Sequence, residues 1–77
     1  MFRTLVKTAA VVVDDRTFPV RYFELRTVRG QRRYSAEILL GPGDRVIFDD
    51  DSMTNLEARA TRLAPATLYS RILARTA

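Results

Sequence analysis

The chain contains no cysteine and no histidine. It therefore has no disulfide, thiol nucleophile or imidazole base, and no zinc site built from nitrogen and sulfur ligands. Lysine occurs once, as Lys7 in the weakly patterned start of the chain. Ser35, Ser52 and Ser70 thus have no evident base to activate them, so nucleophilic catalysis is not expected. Long apolar runs are missing too. Ala9 to Val13, the longest near the start, has five residues, against roughly 18 for a membrane span and about 7–15 for the core of a secretory signal. Asp14 and Asp15 follow it directly. The reading is a protein without membrane association, targeting peptide or cofactor, in the cytoplasm. At 77 residues it forms one small domain, too small for an enzyme with an enclosed cleft.

What is present is a moderately basic, ordinary globular composition: 47% hydrophobic, 29% charged and net +4. All but one of the basic residues are arginine, which fits phosphate recognition and a GC-rich coding bias equally well. The layout of charge says more than the total. Residues 1–20 carry +1, residues 21–36 carry +4, residues 37–51 carry −4 and residues 52–77 carry +3.

Residues 1–16 (MFRTLVKTAAVVVDDR) have strand propensity at Val11, Val12 and Val13 but no clean alternation. They form either an extra edge strand or a disordered N-terminal arm. Residues 17–77 form a single α+β domain. In the run Phe18–Val28, Phe23 and Leu25 share one strand face, while Tyr22, Glu24 and Arg26 share the other. After the polar turn at Arg29-Gly30-Gln31, Tyr34, Ala36, Ile38 and Leu40 point one way and Ser35 and Glu37 the other, which makes a hairpin. Gly41-Pro42-Gly43-Asp44 is the strongest turn signal and leads into a third strand, Arg45–Phe48. Helical spacing begins near Ser52, with Leu56, Ala60, Leu63 and Ala64 on one stripe. Ser52 or Asp51 can cap that helix, or Thr54 with Glu57 as a capping box. Pro65 then kinks the helix or starts a second one carrying Tyr69, Ile72 and Leu73. The expectation is a three-stranded antiparallel β-meander followed by a C-terminal helix or kinked helix pair, with two helical segments favoured.

Two surfaces stand out as binding candidates. Tyr69, Ile72 and Leu73 form a face suited to a protein partner. So small a core, without cysteines, also makes self-association into a homodimer expected, with strand edges, Leu39 and Ile47 as further contact material. Arg26, Arg29, Arg32 and Arg33 cluster at the first hairpin tip with Tyr22 and Tyr34 behind them, an arrangement that can hold a phosphate backbone and stack a base. Asp49, Asp50 and Asp51 lack the spacing of a calcium loop and are read as favouring a helix N-terminus. Glu24 and Glu37 are read as cross-strand partners of arginines.

The three-strand run followed by Met53-Thr54-Asn55-Leu56-Glu57-Ala58-Arg59-Ala60 resembles, over about residues 20–64, the strand-strand-strand-helix half-fold of HicB-type antitoxin domains. That resemblance implies a protein partner and nucleic-acid binding. The run from Arg33-Tyr34-Ser35-Ala36-Glu37 to Pro65-Ala66-Thr67-Leu68-Tyr69-Ser70-Arg71 also resembles small single-domain bacterial proteins of no assigned function, which implies a fold and no activity. The functional expectation is a non-enzymatic protein-interaction module, with nucleic-acid binding at the basic tip as the alternative.

Overall fold

The computed structural model describes residues 2–76, and side chains of residues 2–74. The sheet has four strands, not three: β1 (Phe2–Val13), β2 (Arg16–Arg26), β3 (Arg32–Gly41) and β4 (Asp44–Asp50), each antiparallel to the next, in the order β1-β2-β3-β4. The extra strand is the N-terminal segment. Its alternation is hidden by a bulge at Val6, where the register shifts between Leu5 and Lys7. Before the bulge Arg3 and Leu5 lie opposite Leu25 and Phe23; after it Lys7, Ala9, Val11 and Val13 lie opposite Tyr22, Val20, Phe18 and Arg16. Odd-numbered residues therefore change faces in mid-strand, which erases the period of two expected of a regular strand.

The β1–β2 turn is Asp14-Asp15, with φ of 51° and 64°. Two consecutive positive φ angles give a two-residue turn whose twist suits a hairpin, a conformation Asp tolerates better than most residues. At the second hairpin, Thr27 N–H donates to the Gln31 carbonyl (3.0 Å), Gly30 N–H to the Thr27 carbonyl (2.9 Å), and Gly30 supplies a φ of +81°. Pairing of β2 with β3 starts at Val20. Pro19, just before it, has no N–H to continue the ladder.

One helix, α1 (Met53–Thr76), follows β4. Ser52 caps it: its Oγ accepts the Asn55 N–H at 3.3 Å and its carbonyl the Leu56 N–H at 2.9 Å. The expected pair of helical segments is a single helix running through Pro65. Pro65 removes one backbone bond, yet Leu56, Ala60, Ala64 and Leu68, all buried, stay in phase at intervals of four across it. Packing on that stripe carries the helix past the proline. Leu63, counted in the stripe from sequence, lies on its exposed side.

The helix covers one sheet face. Val13, Val20, Tyr22, Ala36, Ile38 and Val46 form the core with the helical stripe, flanked by Phe18, Tyr34, Leu40 and Phe48. Ala60 and Ala64 allow the helix axis close to the strands, and the ends are filled by Leu56 and Leu68. Two sets of polar contacts set the helix direction. Lys7 Nζ meets Glu57 Oε2 at 2.9 Å on the β1 side, and Arg59 and Arg71 bond Asp50 and Asp44 on the β4 side. No helix among the described residues is long and apolar enough to cross a membrane.

Candidate interaction surfaces

The hairpin tip gathers the four predicted arginines, and three of them are ion-paired to two carboxylates. Arg26 and Arg32 each place Nε 3.5 Å from Glu24 Oε1, and Arg33 pairs with Asp51. Arg29, in the turn, has no ion pair among the described residues. Tyr22 cannot stack a base there. It is buried under the helix, and burial raises its hydroxyl pKa above the usual 10.0, with Glu57 adding to the rise and Lys7 opposing it. Tyr34 is half-buried against the core. The exposed aromatic at this end is Phe2, 78% exposed and in line with Arg26 and Arg32 across three strands. Sequence did not single it out, because its segment read equally as an edge strand or an arm.

The helical trio divides. Ile72 continues the line of Leu68 and, half-buried, packs against the core. Tyr69 and Leu73 are 48% and 50% exposed. Their place follows from Thr61, which lines a cleft of about 90 Å³ with Ala9, Ala10, Val11, Val20, Tyr22, Ala60 and Ala64. Residues four apart stack along a helix, so Thr61, Pro65, Tyr69 and Leu73 run down the flank beside β1. Arg59 and Arg71 mark the opposite flank.

The sheet face away from the helix is organised around Glu37, only 5% exposed. Arg3 Nη2 donates to its Oε2 at 2.8 Å, Arg21 Nη2 to its Oε1 at 3.0 Å, and Arg45 Nη1 stands 3.7 Å from Oε2. The cross-strand pairing expected for Glu37 is present, but as a covered carboxylate shared by three strands. The Arg3 guanidinium also lies 3.6 Å over the Phe23 ring and shields it. Leu39 and Ile47 point to this face and are exposed, as the alternation predicts.

The acidic run feeds the helix start. Asp50 Oδ1 accepts the Ser52 N–H at 2.9 Å and its Oδ2 meets Arg59 Nη1 at 3.1 Å. These contacts, the Ser52 amide first, hold the Asp50 carboxyl below its usual pKa.

The two sheet edges contrast. β4 has seven residues, of which Asp44, Arg45, Asp49 and Asp50 are charged, which protects an edge from adding strands. β1 has twelve residues, only Arg3 and Lys7 charged, and from Thr8 to Val13 it carries none. The bulge at Val6 guards its first half; nothing of the kind guards the second. Set against known proteins, the chain matches no family, no curated protein and no solved structure.

Proposed function

We propose that this protein is a protein-interaction module, not an enzyme, and that it binds by adding a strand to the second half of β1. The observation that carries this reading is the uncharged, unpaired edge from Thr8 to Val13 beside the exposed Tyr69 and Leu73. Strand addition supplies backbone hydrogen bonds along the edge, and the flanking apolar side chains add buried area. The lack of thiol and imidazole groups supports binding over catalysis.

The test compares Tyr69→Asp and Leu73→Asp with wild type by light-scattering mass and circular dichroism. Both exposed positions tolerate the substitution in the folded chain, so the dichroism spectrum holds while association is lost. Retention of the wild-type mass by both folded variants defeats the proposal for the helix flank.

A second reading keeps the basic tip as a nucleic-acid contact, favoured by the exposed Phe2 in line with Arg26 and Arg32. Phe2 would stack a base while Arg29 and its neighbours meet phosphates. On that reading, single-stranded nucleic acid binds at low salt, weakens steeply as salt rises and is lost in Phe2→Ala with Arg29→Ala. Salt-insensitive binding, or none, excludes it.

A further inference from the structure

We propose that the open sheet face holds an oxyanion of the phosphate class at Arg3 and Arg45, with Arg21 beside them, and that Glu37 serves to gather these guanidiniums. The site is separate from the β1 edge, and neither reading depends on the other.

Three strands each send an arginine to one carboxylate of the fourth. Arg3 from β1, Arg21 from β2 and Arg45 from β4 all approach Glu37 on β3. One negative charge balances one of the three positive ones, so the cluster keeps a surplus of two. Most of its N–H donors also remain available. A guanidinium carries about five of them; Arg3 and Arg21 each give Glu37 one hydrogen bond, and Arg45, at 3.7 Å, stands beyond hydrogen-bond distance. Neutralising Glu37 takes one arginine, so the other two need a further explanation.

Two of the guanidiniums are held in place before any ligand arrives. The Phe23 ring lies beneath both Arg3 and Arg21, whose guanidinium carbons are 3.6 and 5.9 Å from its centroid. Below them Glu37 is only 5% exposed. Arg3 Nη2 and Arg45 Nη1 flank the same oxygen of Glu37, Oε2, so one tetrahedral anion above it spans both. Guanidiniums oriented in this way supply the charge-assisted, forked hydrogen bonds that phosphate oxygens accept.

Shape and charge narrow the ligand. Arg3, Glu37 and Arg45 line a shallow basin of about 460 Å³ with Leu25, Ile47 and Asp49. Leu25 and Ile47 give an organic group apolar walls. Asp49 forms no ion pair among the described residues, and its charge repels a second phosphate. The surplus of two matches a phosphate monoester, which carries roughly −1.5 to −2 at pH 7, better than the single charge of a diester. A nucleic-acid strand tracking along this face also meets Asp49.

Amide NMR shifts of labelled protein, titrated with phenyl phosphate at constant ionic strength, test the proposal. Saturable shifts are expected at Ser35, Glu37 and Ile47, with the tip amides of Arg29 and Gly30 unmoved. Arg45→Ala leaves Glu37 bonded to Arg3 and Arg21, so it keeps the wild-type circular dichroism spectrum and binds about tenfold more weakly. Arg45→Lys, which retains the charge without the fork, also binds more weakly than wild type. Arg62→Ala, which removes an exposed charge on the helix, leaves the affinity unchanged. Inorganic phosphate separates the two sources of the anion: tighter binding of phenyl phosphate assigns an esterified ligand, equal or weaker binding assigns the free ion, and both support the site. Three results overturn it: no saturable shift on the open face, equal losses in Arg45→Ala and Arg62→Ala, or diphenyl phosphate, a monoanionic diester, binding as tightly as phenyl phosphate.

Discussion

Three side chains show how local chemistry sets the behaviour of this fold. Tyr22 sits in the core with a hydroxyl pKa raised mainly by burial. A raised folded pKa means its stabilising contribution is complete below the unfolded value near 10.0 and is lost as pH rises through the folded value. Wild type should therefore lose stability above pH 10, and Tyr22→Phe should lose less over the same interval; chemical denaturation at pH 8 and pH 11 measures the difference. Asp50 works in the opposite sense. Its carboxyl is held low, first by the Ser52 amide, so its contribution is present above the ordinary carboxylate pKa and is lost on acidification through the folded value. At the β1–β2 turn, Asp15 holds a φ of 64°, where glycine is less strained. Asp15→Gly is expected to stabilise by about 0.5 kcal/mol, the strain relieved less the extra entropy of the unfolded glycine. That corresponds to a rise of roughly 2–4 °C in Tm for a domain of this size, and a thermal melt reads it.

At the level of elements, α1 and β1 carry the structural lessons. Pro65 costs the helix a hydrogen bond and a steric clash of about 3 kcal/mol, while its restriction of the unfolded chain returns up to about 1 kcal/mol. Pro65→Ala should therefore stabilise by about 2 kcal/mol in urea titration, and a destabilised variant would mean that the ring itself packs to better effect than the helix bond. The hairpin from Phe18 to Leu40, the Gly-Pro-Gly-Asp turn, β4 and the helix start were all legible in sequence, because each has unbroken periodicity or a specific turn chemistry. Residues 2–13 were legible only as one of two alternatives, an edge strand or an arm, because the Val6 bulge inverts the alternation and Asp-Asp is a weaker turn signal than Asn-Gly. The continuous helix was not legible: Pro65 is a local signal for a break, and only the tertiary packing of Ala64 and Leu68 on the sheet overrides it. The same cause divided Tyr69, Ile72 and Leu73, since the buried line drifts around the helix with each step of four and takes Ile72 with it. Arg26, Arg29, Arg32 and Arg33 do stand at the hairpin tip, but the pairing of three of them with Glu24 and Asp51 depends on side-chain placement within and across the strands, and the exposed Phe2 on a strand that the sequence offered only as one alternative.

On the scale of the whole molecule, one sheet edge is charged and short while the other is long and uncharged over its second half. A sheet covered by a single helix, with so small a core, gains most by satisfying that second edge. The central claim is that the outward backbone groups of Thr8, Ala10 and Val12 are bonded to another strand, and amide hydrogen exchange tests it most directly. Val13 and Arg16 close the two-residue Asp14-Asp15 turn as a hydrogen-bonded pair, and bonded and non-bonded pairs alternate along the ladder, so the neighbouring amides of Ala9 and Val11 bond inward to β2 and serve as internal controls. The account predicts slow exchange at all five positions, with protection of Thr8, Ala10 and Val12 increasing with protein concentration. Slow exchange at Ala9 and Val11 alone, with Thr8, Ala10 and Val12 exchanging at unprotected rates at every concentration, would contradict it.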